Sequence, residues 1–227
     1  MNAMALTAEP VQTPEQARQL ICLLARRFYE LGWVSGTGGG ISLRLRNAGD
    51  DRVFMAPSGV QKEMLDPSMI YTLDLRGEVL SGPASDVGMS VSQCRPLFVA
   101  AMTLRDAGAV IHSHSKNCVL ATLLFDGHVP LSHLEMLKGL AGVGFEDLHR
   151  VPIIDNTAQE CDLTDAFVDA IVKNPGVHAV LVRRHGLYVW GHDWLEAKRH
   201  AECYDYLLGI AVEMKRLGID PGAPTQR

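Results

Sequence analysis

The chain has 227 residues, 47% of them hydrophobic and 21% charged, with a formal net charge of −5. A chain of that size can bury a sizeable core, and its acidic balance offers no clustered basic face for nucleic acid or an anionic membrane surface. Apolar runs are short: Leu97–Met102 spans six residues, against the roughly 20 that a membrane-crossing helix needs. Residues 1–12 lack the charged start and apolar stretch of a secretory signal. The five cysteines (22, 94, 118, 161 and 203) are scattered and include no Cys-x-x-Cys pair, which suits reduced thiols of the cytoplasm better than a disulfide frame. With no repeat and no low-complexity linker, the expectation is one cytoplasmic domain over residues 1–227, with loose ends at 1–12 and 220–227.

The first helix signal is Thr13-Pro14-Glu15-Gln16, a capping box with proline in the first turn. Ala17, Leu20, Leu24, Phe28 and Leu31 follow at helical spacing, and Gly32 can end the helix. Ser35-Gly36-Thr37-Gly38-Gly39-Gly40-Ile41-Ser42 comes next. So many glycines cost folding entropy unless backbone must approach something closely. Exposed N–H groups beside small hydroxyls suit a phosphate, but a flexible turn reads equally well, and neither a Walker loop nor a Rossmann fingerprint is present. Segments 41–45 and 52–56 predict a hairpin. Ala56-Pro57-Ser58-Gly59-Val60 is a second small-residue turn with Lys62 close by, and together the two loops suit one anionic group held between them. Segments 71–75 and 78–80 predict another hairpin, and 92–105 a helix with Leu97, Ala100, Ala101 and Leu104 inward. Cys94 falls in that helix's first turn, where the helix dipole lowers a thiol pKa.

Gly108-Ala109-Val110-Ile111 reads as a turn into a buried strand that ends in His112-Ser113-His114. Alternate side chains of an extended strand share a face, so the two imidazoles point the same way. Such a pair is part of a zinc-type site, which needs a third protein ligand and, for catalysis, an open position; on spacing alone it can equally be polar residues closing a strand. A helix is predicted over 116–124. In Leu131-Ser132-His133-Leu134-Glu135-Met136-Leu137-Lys138-Gly139, Glu135 is a carboxylate in a largely apolar run, a setting that raises its pKa and suits acid/base work, although a lone helical glutamate is more often solvated. Strands are predicted at 151–154, 179–182 and 187–190, with a helix at 163–173 between the first two. His185, in the tight turn between the last two strands, is placed to be a third ligand. Asp193 and Glu196 open a last helix running to about 217, with Ala197, Ala201, Tyr204, Leu208, Ala211 and Val212 inward.

Taken together, the glycine-rich loop, the 56–60 turn, His112-x-His114 and the distant His185 resemble the class II aldolase/adducin family. Longer stretches, among them LGWVSGTGGGIS, APSGVQKE, SQCRPLF, HLEMLKG and AVLVRRHGLYVWG, resemble a dehydratase branch of it over about residues 20–215. The resemblance implies an α/β fold with a central mixed, mostly antiparallel sheet flanked by helices, assembled as a homotetramer with active sites at subunit contacts. It implies one Zn2+ per subunit on His112, His114 and His185, a small sugar phosphate as substrate, and neither nucleic acid nor membrane as partner. It further implies Glu135 as the acid/base and Cys94, Ser58, Gly59, Gly38, Gly39 and Lys138 along the substrate. Cys94 departs from the aldolase pattern, which places a catalytic glutamate near there, and no carboxylate is evident in its stead. Dehydration is therefore the expected chemistry, ahead of aldol cleavage, epimerisation or a non-catalytic adducin-like role.

Overall fold

The structure, a computed structural model, describes residues 11–47, 49–84 and 88–224. Helix α1 (Pro14–Glu30) starts on its expected capping box, with Thr13 accepting from the Gln16 N–H and Gln16 reaching back to Thr13. A cap of this kind stabilises a helix by about 1 kcal/mol. The chain then enters the sheet through β1 (Gly40–Leu45), β2 (Arg52–Met55), β3 (Tyr71–Leu73) and β4 (Val79–Ser81). Helix α2 (Arg95–Leu104) leads into β5 (Ala109–Ser113), and α3 (Lys116–Leu124) into β6 (His128–Leu131) and β7 (His149–Ile154). Helix α4 (Thr164–Lys173), the hairpin β8 (Ala179–Val182) and β9 (Gly186–Gly191), and the long α5 (Trp194–Arg216) complete the order.

The nine strands form one sheet in the order β4-β3-β2-β1-β5-β9-β8-β7-β6. Only β7 and β8 pair in parallel; the other pairings among the described strands are antiparallel. The sheet is thus mixed and mostly antiparallel, as the resemblance implied. Alternation along the central strands sends Ile41, Ala109, Ile111, Leu187 and Val189 into a core with α1, α3 and α5. Val110, Tyr188, Trp190, Val180 and Val182 face the other way, into a core with α2 and α4. Every residue of β5 is buried, so this strand lies at the centre of a three-layer α/β/α arrangement.

The parallel pair decides where function can be built. Because β7 and β8 run the same way, the loop after β7 and the turn after β8 leave the sheet at one end. The end of β5 arrives there too, since Ser113 sits opposite Leu187 at the start of β9. So does the start of β1, with Gly40 opposite His112.

Pro221 is buried and its carbonyl accepts from the Ser132 N–H at 2.8 Å. Residues 1–10 and 225–227 of the two expected tails fall outside the described residues. Among the described residues no helix is long and apolar enough to cross a membrane, and all five cysteines are free.

Candidate metal centre and active site

Three imidazoles converge at that end of the sheet. His112, the fourth residue of β5, is fully buried and stacks on Tyr188 of the neighbouring strand, with ring centroids 3.9 Å apart and 6° between the planes. His114 follows just past the strand end. His185 comes from the β8–β9 turn, whose preceding Arg184 takes a φ of +56°. Gly186 lets this turn close on β5: a Cβ there would lie 2.1 Å from the Ser113 carbonyl oxygen.

The three Nε2 atoms stand 2.9 Å (His112–His114), 3.2 Å (His112–His185) and 3.2 Å (His114–His185) apart. His112 gives its Nδ1 proton to the Leu187 carbonyl at 3.1 Å, and His185 Nδ1 faces Asn156 Oδ1 at 3.2 Å. A neutral imidazole that donates from Nδ1 has a bare lone pair on Nε2, so at least two lone pairs aim at a common point. Such a cluster is repulsive unless a cation sits within it. Ligands about 2.05 Å from a tetrahedral zinc ion are roughly 3.3 Å apart, close to the spacings seen. The donor set and the outer nitrogens oriented on His112 and His185 fit a divalent metal. Burial, followed by the charges of its two neighbours, holds His114 down to about 3, and burial also lowers His112; both stay neutral near pH 7.

A fourth ligand-type atom is present that the sequence did not reveal. Glu160, in the loop after β7, places Oε1 3.2 Å from His185 Nε2 and 3.5 Å from His112 Nε2, and Oε2 3.1 Å from Cys94 Sγ. The expectation that no carboxylate serves the Cys94 position is therefore corrected: one does, from a different segment. Glu160 belongs to no motif, and only the parallel β7–β8 pairing brings its loop beside His185. Cys94 is corrected as well. It caps α2 from just outside rather than lying in the first turn as expected, and burial, then the charge of Glu160, pushes its thiol up to about 12. Burial outweighs the helix dipole, and this thiol stays protonated.

The glycine loop packs directly on His112 and His114. A Cβ on Gly38 would lie 2.4 Å from His114 Nδ1, and one on Gly39 2.7 Å from the His112 carbonyl oxygen. Close approach to the histidine strand thus accounts for these two glycines. Ser58 and Gly59 lie in a turn tied down by the Ser58 N–H to the Ser90 carbonyl at 2.9 Å. The two loops are joined by Lys62, 3% exposed, whose Nζ donates to the carbonyls of Thr37 (2.7 Å) and Val60 (3.1 Å). A buried ammonium held by neutral acceptors keeps attraction to spare for an anion.

Glu135 and Lys138 lie elsewhere. They occupy a short 3-10 turn, Glu135–Gly139, between β6 and β7. Because Leu131 pairs with His149 at the start of β7, this turn sits at the end of the sheet opposite the histidines, about 17 Å away along β7 at roughly 3.4 Å per residue. Glu135 is not in apolar surroundings as expected; its side chain is 74% exposed and ion-paired with Lys138 at 3.0 Å. Within one chain, then, the structure brings together His112, His114, His185, Cys94, Gly38 and Gly39, sets Ser58 and Gly59 next to them through Lys62, and leaves Glu135 and Lys138 apart.

This fold is that of a known family. The chain belongs to the Class II Aldolase and Adducin N-terminal domain family, whose profile matches residues 19–212. It is 49% identical over 217 residues to the human protein named methylthioribulose-1-phosphate dehydratase, covering 92% of this chain and 88% of that one. It is 48% identical over 225 residues to a Drosophila melanogaster protein named a probable methylthioribulose-1-phosphate dehydratase, covering 96% and 97%. Among solved structures it superposes on an L-fuculose 1-phosphate aldolase with a TM-score of 0.75 at 22% identity, covering 96% of this chain and 94% of that one. A second match is YgbL of Escherichia coli, described as a putative aldolase/epimerase/decarboxylase, with a TM-score of 0.70 at 20% identity and coverage of 88% and 90%. At such identities these two share the fold alone.

Proposed function

We propose that this chain is a methylthioribulose-1-phosphate dehydratase, a zinc-dependent hydro-lyase of the cytoplasm that acts in methionine salvage as a homotetramer. The observation that carries the reading is the convergence of the three imidazole Nε2 atoms of His112, His114 and His185, in a chain about half identical to proteins of that name. The substrate is a 2-keto sugar phosphate with hydroxyls on C3 and C4. The reaction removes the C3 proton, expels the C4 hydroxyl as water and leaves 2,3-diketo-5-methylthiopentyl 1-phosphate. A bound divalent ion would supply Lewis-acid polarisation of the carbonyl. Ser58, Gly59 and the 38–39 backbone hold the phosphate, and the Lys62 ammonium where the two loops meet supports that placement. Cys94, protonated and buried, lines the substrate without acting as a nucleophile.

Glu135 is the proton carrier in this reading. It takes the C3 proton and returns it to the departing hydroxyl, with Lys138 at its side. Since it lies at the other end of its own sheet, it serves a neighbouring subunit's histidines, which agrees with active sites placed at subunit contacts. The test is an assay of the purified protein on 5-methylthioribulose 1-phosphate with product analysis. A diketo phosphate formed with loss of water is expected, and Glu135→Gln should lower turnover by at least about a hundredfold while metal content stays the same. Near wild-type turnover in that variant would remove Glu135 from the chemistry.

A second reading, an aldolase or epimerase on a related sugar phosphate, draws on the Glu160 carboxylate beside Cys94. An aldehyde plus a smaller ketose phosphate among the products would establish it. For the phosphate end, Lys62→Met should raise KM by at least about tenfold, the scale of a charge-assisted hydrogen bond, with metal content unchanged; an unaltered KM would show that Lys62 only ties the loops.

A further inference from the structure

Glu160 does more than approach the histidines. Its Oε1 and the three imidazole nitrogens form one group of ligand atoms, all within 4.8 Å of one another. The 3.2 and 3.5 Å separations from His185 and His112 match two edges of a tetrahedron around one ion, roughly 3.3 Å each, and the third, to His114, is longer but within 4.8 Å. Its other oxygen is pinned by the Cys94 thiol at 3.1 Å, which fixes the plane of the carboxylate and turns Oε1 inward. A carboxylate oxygen facing nitrogen lone pairs gains nothing by hydrogen bonding, because His112 and His185 spend their protons on the other side of the ring. Four electron-rich atoms so arranged are held together by what they jointly bind.

We infer that Glu160 is the fourth protein ligand of the metal centre, supplied from the loop after β7 where a thiol stands in the expected carboxylate position. The inference rests on the three-histidine reading of that centre. It also makes Glu160 the ligand that yields. His112 is held in a fully buried strand by ring stacking and a backbone hydrogen bond. Glu160 instead begins a short 3-10 turn, with its side chain 22% exposed. An entering substrate oxygen exchanges with this carboxylate, while the Cys94 thiol keeps hold of the freed group.

Cobalt(II) gives a readout that does not depend on turnover. Metal-free wild type, Glu160→Ala and Glu160→Gln are titrated with cobalt against a competing chelator, and the visible bands of the bound ion are recorded. Both variants should fold as the wild type does, judged by circular dichroism, since the side chain reaches the surface. Both should bind cobalt at least about tenfold more weakly, the lower end of what loss of a metal-site partner costs, and with shifted bands. Sugar phosphate added to the wild type should move its bands toward those of the alanine variant. Unchanged affinity and bands in both variants would overturn the inference and leave the histidine centre standing. A failure of the wild type to bind cobalt would instead bring down the centre itself and this inference with it, whereas failure of both variants to fold would make Glu160 a structural residue and overturn the inference alone.

Discussion

His112→Ala is expected to lose its metal and its activity together. The residue supplies one corner of the tripod from a fully buried position and stacks on Tyr188, so nothing nearby can move in to replace it. Two remaining imidazoles hold zinc far less firmly than three. Metal content should fall from about one ion per chain to a small fraction of that, and turnover should fall at least about a thousandfold, since metal-assisted polarisation is worth several kcal/mol. His185→Ala, at the exposed side of the centre, should give the same two losses with a smaller change in melting temperature. Metal analysis beside a thermal melt checks both variants. Wild-type metal content in either one would refute the tripod.

The second large effect is on stability and depends on pH. Burial, then the nearby His178, pushes His149 down to about 4, and burial is also the main cause that brings His200 to about 4. Each has its acceptor nitrogen occupied. His200 Nε2 accepts from the Ala141 N–H at 3.1 Å while its Nδ1 donates to the Trp190 carbonyl at 2.8 Å. His149 Nε2 meets the Tyr204 hydroxyl at 2.9 Å, and that oxygen already accepts from the His178 N–H. In the unfolded chain both histidines take protons near pH 6.5; in the folded chain they resist down to about 4. The unfolded state therefore binds more protons in that window, and stability present above pH 6.5 is lost as the pH falls toward 4. Each group contributes on the order of 3 kcal/mol, at about 1.4 kcal/mol per pKa unit. Urea unfolding between pH 8 and 4.5 should show this slope, and His200→Gln should flatten it. A midpoint constant across the range would contradict the assignment.

Much of the fold was legible because its signals are local. The Thr13 box, the Lys116–Leu124 helix and the inward face of α5 follow from caps and a 3.6-residue period. Strand β6 was not foreseen, since His128-Val129-Pro130-Leu131 carries a proline. It can hold one because it is an edge strand, where a missing N–H costs no ladder bond. On α2 the buried face is turned by one residue: Phe98 and Met102 are in the core and Leu104 is 44% exposed. Of the site, the histidines were readable from strand alternation and turn chemistry. Glu160 was not, because its place is set by which strand pairs in parallel with which, a long-range choice that local spacing does not carry. The surroundings of Glu135 were misread for a related reason: apolar neighbours in sequence turn inward toward α5 while the carboxylate points out.

The turn bearing Glu135 is anchored more firmly than its exposure suggests. Two residues past its end, Ala141 is gripped at both backbone atoms, its N–H by His200 and its carbonyl by His178 Nε2 at 2.8 Å. A carboxylate on so stiff a mount, facing away from its own histidines, cannot fold back to reach them. On the proposed chemistry the smallest working unit is then an interface rather than a chain, and specific activity becomes a function of concentration. Dilution should extinguish turnover before it releases metal or melts the fold, and mixing a Glu135-deficient chain with a His112-deficient one should restore part of the activity that neither has alone.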